Sequence, residues 1–168
     1  MNTFGKAMKQ AVLGGLAMTV SGLGAAGSAD LPKEGNFDYT ACWSGVASKV
    51  DFSKEHSATN VEFTGVTRSA PPGGMFDWNT FRCVGTNASL SGKVSAINVC
   101  EAVDPEGDRR LLYFSSQGGK VVREQVSGTG KYEGMVTEGT VQTLPPFPVV
   151  KPGTVQGCNR HSGTYKLK

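Results

Sequence analysis

Residues 110–127, RLLYFSSQGGKVVREQVS, carry the plainest hairpin signature in the chain. Two runs rich in β-branched and aromatic residues, Arg110–Ser116 and Lys120–Ser127, flank Gln117-Gly118-Gly119, whose glycines accept positive φ without steric cost. Such a turn makes the two runs antiparallel. Along the first arm Leu112 and Phe114 alternate with Leu111, Tyr113 and Ser115; along the second, Val122, Glu124 and Val126 alternate with Val121, Arg123 and Gln125. Apolar groups therefore fall on both faces, which suits a sheet curled into a barrel.

The same punctuation recurs on either side. Further strands are predicted over Ala41–Val50, Asn60–Arg68, Thr80–Gly85, Lys93–Val103, Lys131–Thr137, Gly139–Leu144 and His161–Leu167, bringing the count to eight or nine. Asp104–Asp108 (DPEGD) and Ser127–Gly130 (SGTG) supply turn residues, and Asp30–Asp38 reads as a loose start. Two longer stretches interrupt the strands: Ser69–Asn79 (SAPPGGMFDWN), and Leu144–Arg160 with Pro145, Pro146, Pro148 and Pro152. Prolines at that density exclude central-strand pairing. Both stretches are expected at the mouth of the barrel, where loops line or close a cavity.

The chain opens with a basic start at Lys6 and Lys9, an apolar stretch from Ala11 to Ala26, and small residues Gly27-Ser28-Ala29, the pattern of a secretory signal peptide cleaved after Ala29. Glycines at 14, 15, 22 and 24 shorten the apolar run below the roughly 20 residues that span a bilayer, so no stable membrane insertion is expected. The expected organisation is a leader over 1–29 and one domain over 30–168, placed in the periplasm or secreted. Loss of Lys6 and Lys9 takes Lys+Arg from 17 to 15 against 14 Asp+Glu, a net charge of +1 that does not favour nucleic acid.

Cys42, Cys83, Cys100 and Cys158 form an even set in an exported chain, which points to two disulfides. Three pairings are possible. Cys83 with Cys100 would join consecutive predicted strands, and Cys42 with Cys158 would fasten the two ends of the domain. No Cys-x-x-Cys pair is present, so neither a metal ribbon nor a redox motif is indicated.

Gly128-Thr129-Gly130-Lys131-Tyr132-Glu133-Gly134-Met135 resembles the Gly-Thr-Gly-x-aromatic-x-Gly/Ala strand motif of allene oxide cyclases and dirigent proteins. Ser162-Gly163-Thr164-Tyr165-Lys166-Leu167 is similar to the last strand of small exported bacterial barrels of that group. The resemblance implies an all-β, eight-stranded, calycin-like antiparallel barrel and, as one functional possibility, cyclase or isomerase chemistry. No catalytic residue carries over with the motif.

The residues that could carry chemistry are few. Gly128–Lys131 lacks the leading glycine and the hydroxyl of a phosphate-binding loop, with Gln125 and Tyr132 in those positions. Asp104–Asp108 lacks the spacing of a calcium loop and reads as an acidic turn, with Arg109 and Arg110 beside it to neutralise local charge. His56 and His161 stand alone; His161 would become an acid/base candidate if it faced inward near Glu133 or Tyr113. Charged strand residues Arg82, Glu101, Arg123, Glu124 and Glu133 are expected mostly to face water, those turned inward marking a pocket. Asn87-Ala88-Ser89 matches a glycosylation sequon but reads as a turn.

These observations lead to an expected binder of a small, largely apolar molecule, with Trp43, Phe76, Trp78 and Tyr132 in the pocket and neither metal nor cofactor. A cyclase-like enzyme would draw on Arg82, Tyr113, Arg123 and Glu133. A barrel filled with side chains would instead be an envelope or interaction protein.

Overall fold

The computed structural model describes residues 32–168, so the predicted leader over 1–29 lies outside the described residues. The described chain is all-β apart from one short 3-10 turn: β1 (Glu34–Asp51), β2 (Ser57–Ser69), β3 (Thr80–Leu90), β4 (Lys93–Val103), β5 (Arg109–Gln117), β6 (Lys120–Gly128), β7 (Val136–Thr143) and β8 (Thr154–Lys166). They form a single eight-stranded antiparallel sheet in the order β6-β5-β4-β3-β2-β1-β8-β7. The sheet curls into a nearly closed barrel.

Strand β1 is the longest, and it pairs with β2 on one side and β8 on the other. Its curl depends on close backbone approach. A Cβ on Gly65, opposite Trp43, would lie 2.1 Å from the Cys42 carbonyl oxygen, so this crossing admits only glycine. The seam between β6 and β7 has no backbone ladder among the described residues. Side chains bridge it: Arg123 Nη1 donates to Thr137 Oγ1 at 2.8 Å, and Gln125 Nε2 to the Met135 carbonyl at 3.5 Å.

One end of the barrel is plugged. Phe76, from the β2–β3 loop, is wholly buried against Phe37 and Tyr39, with ring centroids 5.2 and 5.4 Å apart in edge-to-face geometry. Tyr132, Met75, Met135 and Tyr165 complete the cluster. The loop is held in place by Asp77, whose carboxylate accepts from the backbone N–H groups of Ser69 (2.9 Å), Gly73 (2.7 Å) and Trp78 (3.1 Å). Below it, the Thr67 N–H donates to Asn79 O at 2.8 Å, and Thr67 Oγ1 donates to the Phe76 carbonyl.

Several sequence expectations are corrected here. Lys131–Thr137 is not a strand: Gly130–Tyr132 is a 3-10 turn, and β7 begins only at Val136. Gly130 has φ of 52°, and a Cβ there would meet the Asp108 carboxylate at 1.8 Å, so the stretch turns instead of extending. Most of the supposedly loose Asp30–Asp38 belongs to β1, and Thr154–Arg160 belongs to β8 rather than to the proline-rich loop. Asn87-Ala88-Ser89 lies within β3, not in a turn. Finally, the loops 70–79 and 144–153 do not share a mouth. In an up-and-down barrel successive connections alternate ends, and five strands separate these two, so they sit at opposite ends.

Both expected disulfides form, with Cα atoms 4.1 Å apart: Cys42–Cys158 across β1 and β8, and Cys83–Cys100 across β3 and β4.

Candidate functional site

The pleat assigns one face of each strand to the interior. Tyr39, Ala41 and Trp43 of β1 turn inward, as do Val61 and Phe63 of β2, Leu112 and Phe114 of β5, and Asn159 and His161 of β8. Together with Phe81 and the Cys83–Cys100 bridge they line a lumen cavity of about 390 Å³. Its lower part ends at Tyr39, Ala102 and Arg110, above the aromatic plug. Upward it extends past Asn87, Ala96, Ser116, Val121 and Thr143, towards the end that carries the β1–β2, β3–β4, β5–β6 and β7–β8 connections. Exposed Val50, Phe52, Leu90, Val94, Val149 and Val150 occupy the strand tips and loop at that end.

The walls are chiefly apolar, and the polar groups gather near the floor. Arg110, paired with Ala102 across β4 and β5, is 1% exposed. Its guanidinium carbon lies 3.9 Å from the Phe76 ring centroid and 5.2 Å from that of Tyr132. With the Asn79 amide oriented to suit its neighbours, Asn79 Oδ1 accepts from Arg110 Nη2 at 3.2 Å and Nδ2 donates to the Asp77 carbonyl at 3.1 Å. Among the described residues Arg110 Nε and Nη1 make no hydrogen bond of good geometry, although the Tyr39 hydroxyl lies close enough to favour the charged form. Burial holds this guanidinium below its ordinary pKa, although arginine remains charged throughout the accessible pH range.

His161 is buried flat against Tyr39, with ring centroids 4.7 Å apart and planes 5° from parallel, and meets Phe114 edge-on at 6.0 Å. Burial pushes its pKa down to about 3, with the charges of Arg123 and Arg110 acting in the same direction. The imidazole is therefore neutral at physiological pH. Arg123 reaches the interior from β6, its Nε and Nη2 buried without partners and its guanidinium carbon 5.4 Å from the Phe37 ring. Among the described residues no carboxylate forms an ion pair with Arg110 or Arg123, and no Asp or Glu lines the cavity.

The residues named from sequence scatter. Trp43 lines the cavity, while Phe76 and Tyr132 form the plug beneath it. Trp78 is 57% exposed and stacks outside under Arg68, whose guanidinium carbon is 3.4 Å from the ring centroid. Arg82 projects from the outer face and pairs with Glu62 at 2.8 Å. Tyr113 follows the outward phase of β5, and Glu133 is exposed beyond the 3-10 turn. Of the four acid/base candidates only Arg123 reaches inside. Glu101 pairs with Arg109 on the outer face.

Arg110 escaped the sequence reading, which set it beside the acidic turn as a neutralising charge. That turn is neutralised from elsewhere: Lys131 Nζ lies 2.6 Å from Asp104 and 2.7 Å from Glu106. Burial alone would raise the Asp104 carboxyl, but Lys131, Tyr132 and the Asp108 N–H together hold it below its ordinary value. The signal that could have found Arg110 was its phase, two residues from Leu112 and four from Phe114.

No family model matches the chain, and neither a curated protein nor a solved structure matches it.

Proposed function

We propose that this protein is an exported binding barrel that holds a small, largely apolar molecule in its lumen. The observation that carries this reading is the cavity of about 390 Å³, which falls in the range of roughly 300–1,000 Å³ typical of small-molecule sites. A barrel serving only as a packed scaffold would close that space with side chains, since interiors approach crystal density. Two disulfides favour an oxidising compartment, and among the described residues no helix is long and apolar enough to cross a membrane. Binding is preferred over acid/base catalysis because the histidine in the lumen is held neutral and has no carboxylate beside it.

The two tryptophans make the test direct. Trp78→Phe removes the external indole and leaves Trp43, in the cavity wall, as the only one. Titrating this variant with octanol is expected to give a saturable change in Trp43 emission. A linear response no larger than that of free tryptophan, to octanol and to octanoate alike, would overturn the reading.

A further inference from the structure

The lumen is apolar along most of its wall yet has the Arg110 guanidinium at its floor, a second guanidinium, Arg123, buried outside the lining against Phe37 of the plug, and no carboxylate paired with either among the described residues. A buried ionised group without a partner is costly, and buried arginines are ordinarily paired. Here the π-faces of Phe76 and Tyr132 offset part of that cost for Arg110. Among the described residues Arg110 Nε and Nη1 and Arg123 Nε and Nη2 nevertheless make no hydrogen bond of good geometry; the Tyr39 hydroxyl favours the Arg110 charge, but burial and the repulsion of Arg123 act against it. Neutral His161 contributes another unpartnered nitrogen, Nδ1, at the same level of the barrel. The result is a concentrated positive potential at the closed end of a low-dielectric cavity, where charge interactions are far stronger than in water.

Building on the binding reading above, we infer that the ligand is an apolar monocarboxylic acid, seated with its carboxylate towards Arg110 and its hydrocarbon part along Leu112, Phe114 and Phe63. A guanidinium N–H bonds the anionic oxygen of a carboxylate more strongly than the neutral oxygen of an alcohol or ketone, and only the carboxylate also neutralises the buried charge. The polarity of the cavity sets the direction. Charge lies at the plugged end, and exposed valine, leucine and phenylalanine side chains lie at the other, so the acid enters head first with its chain trailing to the mouth. Strongly hydrated inorganic anions suit the site poorly, because the apolar wall returns nothing for their lost hydration.

The decisive experiment compares octanoate with octanol, by calorimetry on the disulfide-bonded protein at neutral pH. Octanoate is expected to bind about tenfold or more tightly, the factor that one charge-assisted hydrogen bond supplies. Arg110→Met should erase that difference, and Arg110→Lys should restore part of it; circular dichroism confirms that each variant folds. Should Arg110→Met fail to fold, Arg123→Gln is expected to narrow the difference by removing the second charge. Equal affinity of the wild-type protein for both probes overturns the carboxylate assignment but leaves the binding barrel standing. Failure of both to bind overturns the two together. Inorganic phosphate competing with octanoate at comparable concentration would mark a general anion site and also overturn the assignment.

Discussion

At the scale of single residues the chemistry of the lumen turns on His161. Its folded-state pKa of about 3 lies well below the roughly 6.5 of an unfolded histidine. Between those values the unfolded chain binds a proton that the folded one refuses, so stability is full above about 6.5 and falls as pH drops towards 3. The lowered carboxyl groups of Asp38, Asp77 and Asp104 contribute only below the ordinary carboxylate range, near 4. From pH 6 down to 5, therefore, the protein is expected to lose up to about 1.4 kcal/mol per pH unit through this one group. In His161→Phe, which keeps the stack on Tyr39, the slope should flatten. Urea denaturation at several pH values checks it, and an unchanged slope would show that the imidazole titrates normally. Neither His161 nor Arg110 could be placed from sequence, because face depends on register and a one-residue slip exchanges inside for outside. Arg82 and Arg123 illustrate this: both are arginines in β-forming runs, and only the pleat sends one to water and the other to the interior.

At the scale of elements the strands themselves were legible wherever alternation and a glycine turn coincided, as in β5 and β6. They were not legible where a turn motif imitates a strand. Lys131–Thr137 carries β-forming Tyr132 and Val136, but the positive φ of Gly130 and the Asp108 carboxylate accepting from the Lys131 N–H at 3.0 Å wind it into a 3-10 turn. The plug over the lower end depends on similar local chemistry. Asp77 gathers three backbone donors from Ser69, Gly73 and Trp78, and those hydrogen bonds hold its pKa low despite partial burial. Hydrogen bonds to a charged group are worth about 1.5–3 kcal/mol each, less where water can replace the acceptor, as it can at exposed Gly73 and Trp78. Asp77→Ala is accordingly expected to destabilise the protein by about 2–3 kcal/mol in chemical denaturation. Asp77→Asn, retaining an acceptor oxygen, should lose less; equal losses would mean that packing of Phe76, not the carboxylate, fixes the loop.

For the whole molecule the question is what keeps the sheet curled. Strand β1 lies beside both β2 and β8, so the first and last strands share a ladder, and the ladder-free seam falls between β6 and β7. The cysteine pairing was readable because adjacent predicted strands brought Cys83 to Cys100 and the chain ends brought Cys42 to Cys158. Which bridge matters more was not readable, because it depends on where each lies in the wall. Cys42–Cys158 closes a separation of 116 residues and Cys83–Cys100 one of 17. On chain entropy alone the longer loop contributes about 5 kcal/mol and the shorter about 3. The shorter bridge, however, lines the cavity, where Cys83 and Cys100 pack with Ala102 and Leu112, so truncating it also removes buried contacts. If unfolded-state entropy dominates, Cys42→Ala/Cys158→Ala should be less stable than Cys83→Ala/Cys100→Ala by about 2 kcal/mol in guanidinium denaturation. The reverse order would show that sulfur packing in the lumen wall outweighs loop closure. The same pair of variants separates the two roles at the site: widening the lumen at Cys83 and Cys100 should change ligand affinity in the folded protein, whereas opening the outer bridge between β1 and β8 should change stability and leave affinity nearly as it was.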